Sequence, residues 1–211
     1  MNKNLENHWQ EVYHNKNENE VSWFQKLPKL SLNLINSLNL NFDSQIIDIG
    51  GGESRLVDNL LNIGYTNVTV LDISSKSIEK TKKRLGLKSK LVNWIVCDIN
   101  NFKPKHKYDL WHDRAAFHFL RDNSEIDNYL KLLKTSLNVN ADLIIATFSE
   151  NGPLKCSGLE VSRYSKNSIS DLLSHDFELI STEISIHNTP FNTTQEFLFT
   201  CLLYTSPSPR D

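Results

Sequence analysis

Residues 46–55 read IIDIGGGESR. The apolar, β-branched start of this stretch predicts a strand that is buried on both faces of a sheet. The three glycines, Gly50–Gly52, then let the backbone turn tightly and approach a ligand closely, because no Cβ stands in the way. The helix that follows directs its free N–H groups back toward that ligand. A ligand-binding crevice is one interpretation and an ordinary strand–turn–helix is the other, and the rest of the chain decides between them.

Strands and helices alternate along the chain until the last two strands, which share a short connection. Ser74 and Ser124 are placed to cap two of the helices, and Gly64 and Gly86 are placed to end two of them. We therefore predict an α/β fold with a doubly wound sheet of seven strands, mostly parallel with an antiparallel last strand, and helices on both faces. The predicted strands are 45–49, 67–71, 91–97, 108–112, 141–148, 178–185 and 195–200, and the main helices are 28–38, 54–63, 75–85, 124–137 and 165–175.

The chain has 211 residues, a length that suits one α/β domain. We predict a single domain over residues 1–200, with an N-terminal helical lid region at 1–40 and a core at 41–200. Residues 201–211 read CLLYTSPSPRD, which resembles a translated sequencing adapter. We predict that this segment is a non-native tail, and a genuine disordered terminus is the alternative.

Composition argues against several classes of partner. The net charge is −2 with both signs mixed along the chain, so the sequence shows no electrostatic footprint for nucleic acid. No apolar run approaches the roughly 20 residues that span a bilayer, and the N-terminus lacks an apolar signal core, so we expect no membrane association and a cytoplasmic location. The three cysteines have neither metal-ligand nor disulfide spacing, so no metal site is predicted.

Acidic residues end the first three predicted strands, at Asp48, Asp72 and Asp98. Since the carboxyl ends of parallel strands meet at one edge of a sheet, we expect all three carboxylates to face one crevice. The carboxylate after strand two can accept hydrogen bonds from ribose hydroxyls, and the one after strand three can accept from an adenine amine. Asp48 can contribute through the backbone of the glycine turn, or it can interact with an ammonium group of the ligand.

The glycine spacing separates two classes of nucleotide cofactor. A dinucleotide fold requires Gly-x-Gly-x-x-Gly, and Arg55 stands where the third glycine belongs. A pyrophosphate also disfavours acids beside the turn, whereas Asp48 and Glu53 both flank it. A cationic sulfonium ligand with an amino-acid tail tolerates these acids far better.

These motifs resemble those of class I S-adenosylmethionine-dependent methyltransferases. DIGGG at 48–52 resembles the first motif, VLD at 70–72 the second, CDI at 97–99 the third, and YDLWHDR at 108–114 the strand-four segment beside the methyl-transfer site. The match covers about residues 5–200, and one departure is Ser54, where many members carry a further glycine. The segments at 8–9, 21–24 and 113–118 resemble one bacterial branch of small methyltransferases whose substrates are mostly unassigned.

The resemblance implies a Rossmann-like fold with S-adenosylmethionine as the cofactor. The residues expected to contact this cofactor are Trp23, Asp48, Gly50, Gly51, Gly52, Asp72, Ile73, Asp98, Ile99 and Asp113. Because the sulfonium is already a good leaving group, we expect the protein mainly to hold nucleophile and methyl group in line.

A general base is needed only if the nucleophile arrives protonated. His118 and Asp113 are the predicted catalytic residues, and His112 is a further candidate. The alternatives are that His118 is a packed core histidine and that Asp113 is structural. Arg114 can either hold an acidic substrate or pair with a carboxylate of the chain.

We predict a small-molecule acceptor. The alternatives are a protein side chain as acceptor and a non-catalytic module that binds the cofactor. A nucleic-acid acceptor is not expected, because residues 113–116 lack the Asn/Asp-Pro-Pro-aromatic motif that holds a flipped base. The sequence does not indicate the oligomeric state.

Two further segments are expected near the crevice. Trp9, Tyr13 and Trp23 precede the first strand, and they belong either to a lid that excludes water or to a helix packed on the edge of the sheet. The loop at 151–159 is a candidate substrate wall, in which Cys156 is either a ligand for a soft substrate or a small loop residue.

Overall fold

The computed structural model describes residues 3–205. Its main sheet contains β1 (Gln45–Ile49), β2 (Asn67–Asp72), β3 (Val92–Val96), β4 (Tyr108–Arg114), β5 (Leu137–Phe148), β8 (Phe177–Asn188) and β9 (Thr194–Tyr204). A small hairpin is formed by β6 (Lys155–Cys156) and β7 (Leu159–Glu160). The α-helices are α1 (Lys3–Asn15), α2 (Lys29–Ser37), α3 (Leu56–Ile63), α4 (Ser75–Leu85), α5 (Asn123–Ser136) and α6 (Lys166–Leu173).

The order of strands in the main sheet is β3-β2-β1-β4-β5-β9-β8. The first five strands are parallel, and β9 runs antiparallel to both β5 and β8. This arrangement confirms the predicted Rossmann-like sheet with its antiparallel last strand. The chain reverses its winding direction between β1 and β4, and in such folds ligands bind outside the carboxyl ends of the strands at that point.

Apolar clusters cover both faces of the sheet. On one face, Trp111 and Ile47 pack with Leu133 of α5, and on the other, Ile46 and Leu110 pack with helices α2 and α3. Neighbouring residues of a strand point to opposite faces, so β1 and β4 each contribute to both clusters. Burial on both faces explains why these strands read as continuous apolar runs rather than as alternating ones.

Helix caps follow the sequence in most places. Ser74 precedes α4, and its hydroxyl accepts a hydrogen bond from the Ser77 N–H at 3.3 Å. Gly64 ends α3 with a φ of 116°, a conformation in which a glycine is favoured. The cap predicted at Ser124 is wrong, because α5 begins at Asn123 and Asp122 is its N-cap residue.

The last strand is longer than the sequence predicted. Strand β9 runs to Tyr204 and pairs Cys201 with Ile144 of β5, and Leu202 and Tyr204 lie in the core. The predicted boundary at residue 200 therefore falls inside a strand, and residues 201–204 are part of the sheet. Residues 206–211 lie outside the described residues, and the origin of the tail stays a prediction.

Within residues 3–205, the helices are too short or too polar for any of them to cross a bilayer.

Candidate active site

Two adjoining cavities lie at the carboxyl ends of the parallel strands. Cavity A lies over the ends of β2 and β3, and Asp72, Ile73, Asp98 and Ile99 line it there. Cavity B lies beside β1 and β4 and is lined by residues that include Asp48, Ser31, Glu53 and His112. The residues that border both cavities are Tyr13, Trp23, Ile49, Gly50 and Arg114.

The structure therefore brings most of the predicted cofactor residues together but divides the three acids. Asp72 and Asp98 line cavity A, as do Trp23, Gly50, Ile73 and Ile99. Asp48 lines the adjoining cavity B, which shares five lining residues with cavity A, so the three carboxylates lie at one edge of the sheet but border two adjoining cavities. The physical reason is that the glycine turn stands between Asp48 and the end of β2.

The glycine turn rests directly on two buried carboxylates. A Cβ at Gly51 would lie 2.4 Å from Asp48 Oδ2, and a Cβ at Gly52 would lie 2.4 Å from Asp72 Oδ2. Gly50 has a φ of +65°, and its N–H donates to the Leu71 carbonyl at 2.8 Å. Gly51 and Gly52 line neither cavity, so their contribution is to let the backbone lie close to these acids.

Asp72 and Asp98 are each oriented by the backbone of the next turn. Asp72 Oδ1 accepts a hydrogen bond from the Ser74 N–H at 2.8 Å, and Asp98 Oδ1 accepts one from the Asn100 N–H at 3.0 Å. Burial raises the pKa of Asp72 to about 6, although the Ser74 hydrogen bond opposes the shift. Both carboxylates are thus fixed at the edge of cavity A before a ligand binds.

A buried chain of hydrogen bonds runs from α2 to the glycine turn. The Ser31 hydroxyl lies 2.9 Å from His112 Nε2, and His112 Nδ1 lies 2.7 Å from Asp48 Oδ1. Both ring nitrogens of His112 are therefore engaged, which makes it a positioning residue for Asp48 rather than a free base. Asp48 Oδ2 is buried and has no hydrogen-bond partner among the described residues. Since buried carboxylate oxygens normally have partners, this oxygen fits a cationic group of a ligand.

Asp113 does not occupy the site that the sequence predicted for it. It is 0% exposed, and it lines neither cavity. Its Oδ1 accepts from the N–H groups of Ala116 and Phe117, each at 3.0 Å, and its Oδ2 accepts from the Tyr129 hydroxyl at 2.7 Å. Asp113 therefore holds the turn after β4, and the predicted catalytic and cofactor-binding roles are corrected to a structural one.

Replacing Tyr129 by phenylalanine tests this structural role. The hydroxyl of Tyr129 donates to Asp113 and accepts from Trp111 Nε1 at 2.9 Å, so its loss leaves two buried groups without a partner. We expect the free energy of unfolding, measured in urea, to fall by about 1–3 kcal/mol. Tyr65→Phe is the matched control, because Tyr65 is also buried and its hydroxyl has no hydrogen-bond partner among residues 3–205. Equal stability of the two variants would contradict the assignment.

His118 also lies outside both cavities. Its ring is 0% exposed, it packs 4.7 Å from the rings of Phe119 and Phe148, and its Nδ1 accepts from the Phe148 N–H at 3.4 Å. Burial and the nearby charge of Arg114 lower the pKa of His118 to about 3, so the ring is neutral at physiological pH. The predicted role as a catalytic base is corrected to that of a packed core histidine.

The N-terminal segment covers one side of both cavities. Trp9 of α1 packs 5.6 Å from Trp23 and 5.3 Å from Phe119, measured between ring centroids. Gln10 ties α1 to the start of α4, where its Oε1 accepts from the Ser74 hydroxyl at 3.0 Å and its Nε2 donates to the Ser75 hydroxyl at 3.0 Å. This placement favours the predicted lid, whose opening and closing stay a prediction.

Sequence reasoning missed several residues of the site. Phe119 and Glu125 line cavity A although they follow β4 by several residues. Ser31 could have been found from its place in α2, where it shares a buried face with Leu32 and Ile35 and is the polar member of that face. From the loop at 151–159, Cys156 lines cavity A, and burial raises the pKa of its thiol to about 12, so the thiol is neutral.

Three comparisons with known proteins agree with this geometry. Residues 46–139 match a family model described as a methyltransferase domain. Malonyl-(acyl-carrier protein) O-methyltransferase 2 of Ilyobacter polytropus is 34% identical over 91 residues, which are 41% of this chain and 35% of that protein. Nodulation protein S of Bradyrhizobium diazoefficiens is 30% identical over 80 residues, which are 38% of each chain. The chain thus spans little more than a third of the length of either relative.

The fold is shared with solved structures along nearly the whole chain. The N-methyltransferase NodS from Bradyrhizobium japonicum WM9, solved in complex with S-adenosylhomocysteine, has a TM-score of 0.69 to this chain at 14% identity. The alignment covers 94% of this chain and 98% of NodS.

Proposed function

Because the chain carries the domain of a class I S-adenosylmethionine-dependent methyltransferase, we propose that it transfers the methyl group of this cofactor to a small-molecule acceptor by in-line displacement. The observation that carries the proposal is the composition of cavity A. The edge carboxylates Asp72 and Asp98 share this cavity with an apolar wall formed by Ala115, Ala116 and Phe119. An acceptor that reaches this wall lies beneath α1, which favours a small molecule over a folded protein surface.

The residues present fit the cofactor. Asp72 is placed to accept hydrogen bonds from ribose hydroxyls, and Asp98 is placed to accept one from an adenine amine beside Ile99. The unpartnered Asp48 Oδ2 suits the ammonium group of the amino-acid tail. When bound, the cofactor supplies a methyl group that its sulfonium has already activated for displacement.

The chain itself supplies orientation and exclusion of water. The aromatic rings of Trp9, Trp23 and Phe119 cover one side of cavity A, and Ile49 and Gly50 line it at the end of β1. Among the described residues, no histidine lines cavity A. We propose that the acceptor arrives with its nucleophilic lone pair already free, so that positioning rather than proton transfer provides most of the rate. For an acceptor that arrives protonated, Glu125 is the carboxylate of cavity A that is not assigned to the cofactor.

Calorimetric titration of S-adenosylmethionine and of S-adenosylhomocysteine into the protein tests this proposal. We expect both to bind with dissociation constants of about micromolar. A folded protein that binds neither would contradict the proposal. If both bind, the protein is incubated with S-adenosylmethionine and a panel of small molecules, and release of S-adenosylhomocysteine identifies the acceptor class. Binding of the cofactor without product from any member of the panel would favour a non-catalytic module.

Incubation with labelled cofactor and cell lysate separates the small-molecule acceptor from a protein acceptor. The relatives include one named as an N-terminal Xaa-Pro-Lys N-methyltransferase of Xenopus laevis, 26% identical over 102 residues, so this alternative has a specific basis. We expect no labelled protein band beyond those seen with an Asp72→Asn control. A band that depends on intact Asp72 would replace the small molecule by a protein acceptor.

A further inference from the structure

Arg114 occupies the border between the two cavities. It is the last residue of β4, and it lines both cavity A and cavity B. Its Nη1 donates to the Trp23 carbonyl at 3.2 Å, and its guanidinium lies 4.8 Å from the centre of the Phe197 ring. These two contacts hold the guanidinium in one orientation and leave its opposite edge unused.

That unused edge consists of Nε and Nη2. Both nitrogens are buried, and neither has a hydrogen-bond partner among the described residues. They form the adjacent pair of donors that matches the two oxygens of a carboxylate.

Two other arginines of this protein bind a carboxylate through the same two nitrogens, Nε and Nη2. Arg55 donates from Nε and Nη2 to the two carboxylate oxygens of Glu18, at 3.2 and 2.5 Å. Arg84 donates from the same two nitrogens to Asp58, at 3.0 and 2.7 Å. Within residues 3–205, Arg114 has no such acidic partner.

A buried guanidinium without a carboxylate is costly, because a charge removed from water requires compensation. Burial lowers the pKa of Arg114 to about 10, so the side chain still carries its charge at neutral pH. Cys156 and Asp48 are the nearby groups that oppose this shift, but the Cys156 thiol is neutral, and Asp48 makes neither a hydrogen bond nor an ion pair with Arg114 among the described residues. The missing counter-ion is therefore expected from outside the chain.

We propose that Arg114 binds the carboxylate group of a ligand through Nε and Nη2. The proposal rests on the methyltransferase function and names the recognition chemistry of the same site. The carboxylate has two sources, the acceptor in cavity A and the amino-acid tail of the cofactor in cavity B. A lysine would not replace this residue, because its single ammonium lacks the paired donors.

Nuclear magnetic resonance of protein with isotope-labelled arginine tests the proposal directly. The Nε–H signal of Arg114 is assigned by its absence from the Arg114→Lys and Arg114→Gln variants, so one variant suffices if the other fails to fold. In the first arm, S-adenosylhomocysteine is compared with methylthioadenosine, which lacks the amino-acid tail. In the second arm, sodium formate is added to the complex with S-adenosylhomocysteine, and an equal concentration of sodium chloride is the salt control.

The two arms distinguish the two sources. A signal shift with S-adenosylhomocysteine but not with methylthioadenosine assigns the carboxylate to the cofactor tail, and the Arg114→Lys variant should then bind S-adenosylhomocysteine about tenfold more weakly with unchanged affinity for methylthioadenosine. A shift with formate but not with chloride assigns it to the acceptor. No shift in either arm overturns the proposal.

Arg121→Lys is the matched control for the affinity measurement, because Arg121 pairs with Glu160 at the surface and lines neither cavity. It should bind both ligands as the native chain does.

Calorimetry separates a failure of the Arg114 proposal from a failure of the methyltransferase function. If neither nucleoside binds, the function fails, and formate added to the free protein still reports on Arg114.

Discussion

S-adenosylhomocysteine is expected to bind the Asp72→Asn variant about 10- to 150-fold more weakly than the native chain at neutral pH, which corresponds to a loss of about 1.5–3 kcal/mol. The carboxylate is fixed by the Ser74 N–H and lies at the edge of cavity A, so it needs no rearrangement to accept from ribose hydroxyls. Asparagine keeps the shape and the contact with Ser74 but loses the charge and one acceptor. Calorimetry measures the difference.

The affinity of the native chain should also depend on pH. The pKa of Asp72 is raised to about 6, so its carboxyl is mostly protonated below that pH and mostly ionised above it. Because an ionised carboxylate accepts hydrogen bonds from hydroxyls more strongly than a protonated carboxyl does, affinity levels off above the pKa and declines as the pH falls through it. At about pH 5 we expect binding about tenfold weaker than at neutral pH.

Two variants make the pH test specific. The Asp72→Asn variant should show no pH dependence of this kind, since it has no carboxyl to titrate. Asp142→Asn removes another carboxyl whose pKa burial raises to about 6, but Asp142 lines neither cavity. This control should keep the native affinity and the native pH dependence. A pH dependence that persists without Asp72, or disappears without Asp142, would refute the role assigned to Asp72.

The Gly51→Ala variant is expected to lose about 2–3 kcal/mol of unfolding free energy and more than about tenfold in affinity for S-adenosylhomocysteine. The new methyl group would lie 2.4 Å from Asp48 Oδ2, 2.7 Å from Asp48 Cγ and 3.1 Å from Val70 Cγ1. His112 holds Asp48 in place, so the carboxylate cannot simply swing away. Relief therefore requires a shift of the turn that supports both cavities.

Urea denaturation and calorimetry together check this result. Gly86→Ala is the control, because no atom lies within 4 Å of the position its Cβ would take. Its backbone angles, a φ of 57° and a ψ of −126°, still impose strain on a residue with a Cβ, for which we expect a loss of about 1–2 kcal/mol with native affinity for the ligand. If Gly51→Ala is no less stable than Gly86→Ala, the close packing of the turn on Asp48 is not a determinant of stability.

The sequence predicts the edge of cavity A well because each contributing residue lies within three residues of the end of its own strand. Asp72 is the last residue of β2 and Ile73 follows it, while Asp98 and Ile99 come two and three residues after the end of β3 at Val96, so parallel pairing of the two strands is enough to bring them together. The same local logic places Gly50 at the end of β1. No long-range information is needed for these residues.

Prediction fails where strand ends and distant contacts decide the outcome. The sequence predicts that β4 ends at His112, but the strand continues to Arg114. Asp113 therefore follows the alternation of a strand, and its side chain lies on the face of the sheet that Tyr129 covers. His118 packs between Phe119 and Phe148, and Phe148 belongs to β5, which is distant in sequence. Its separation from the two cavities depends on that long-range contact, which the local sequence does not reveal. Ser31 meets His112 across 81 positions of sequence, which no local pattern reveals.

The alternation of side chains along β4 also decides which charged group lies at the border of the two cavities. His112 and Arg114 point to the side of the two cavities, while Asp113 between them points to α5. Loss or gain of one residue within this strand would therefore exchange the buried cation for a buried anion at the cavity border. The carboxylate ligand proposed for Arg114 would then meet a second carboxylate instead of a guanidinium, even if the sheet itself survived. The alternation of side chains along this one strand therefore decides whether a guanidinium or a carboxylate lies at the border of the cavities.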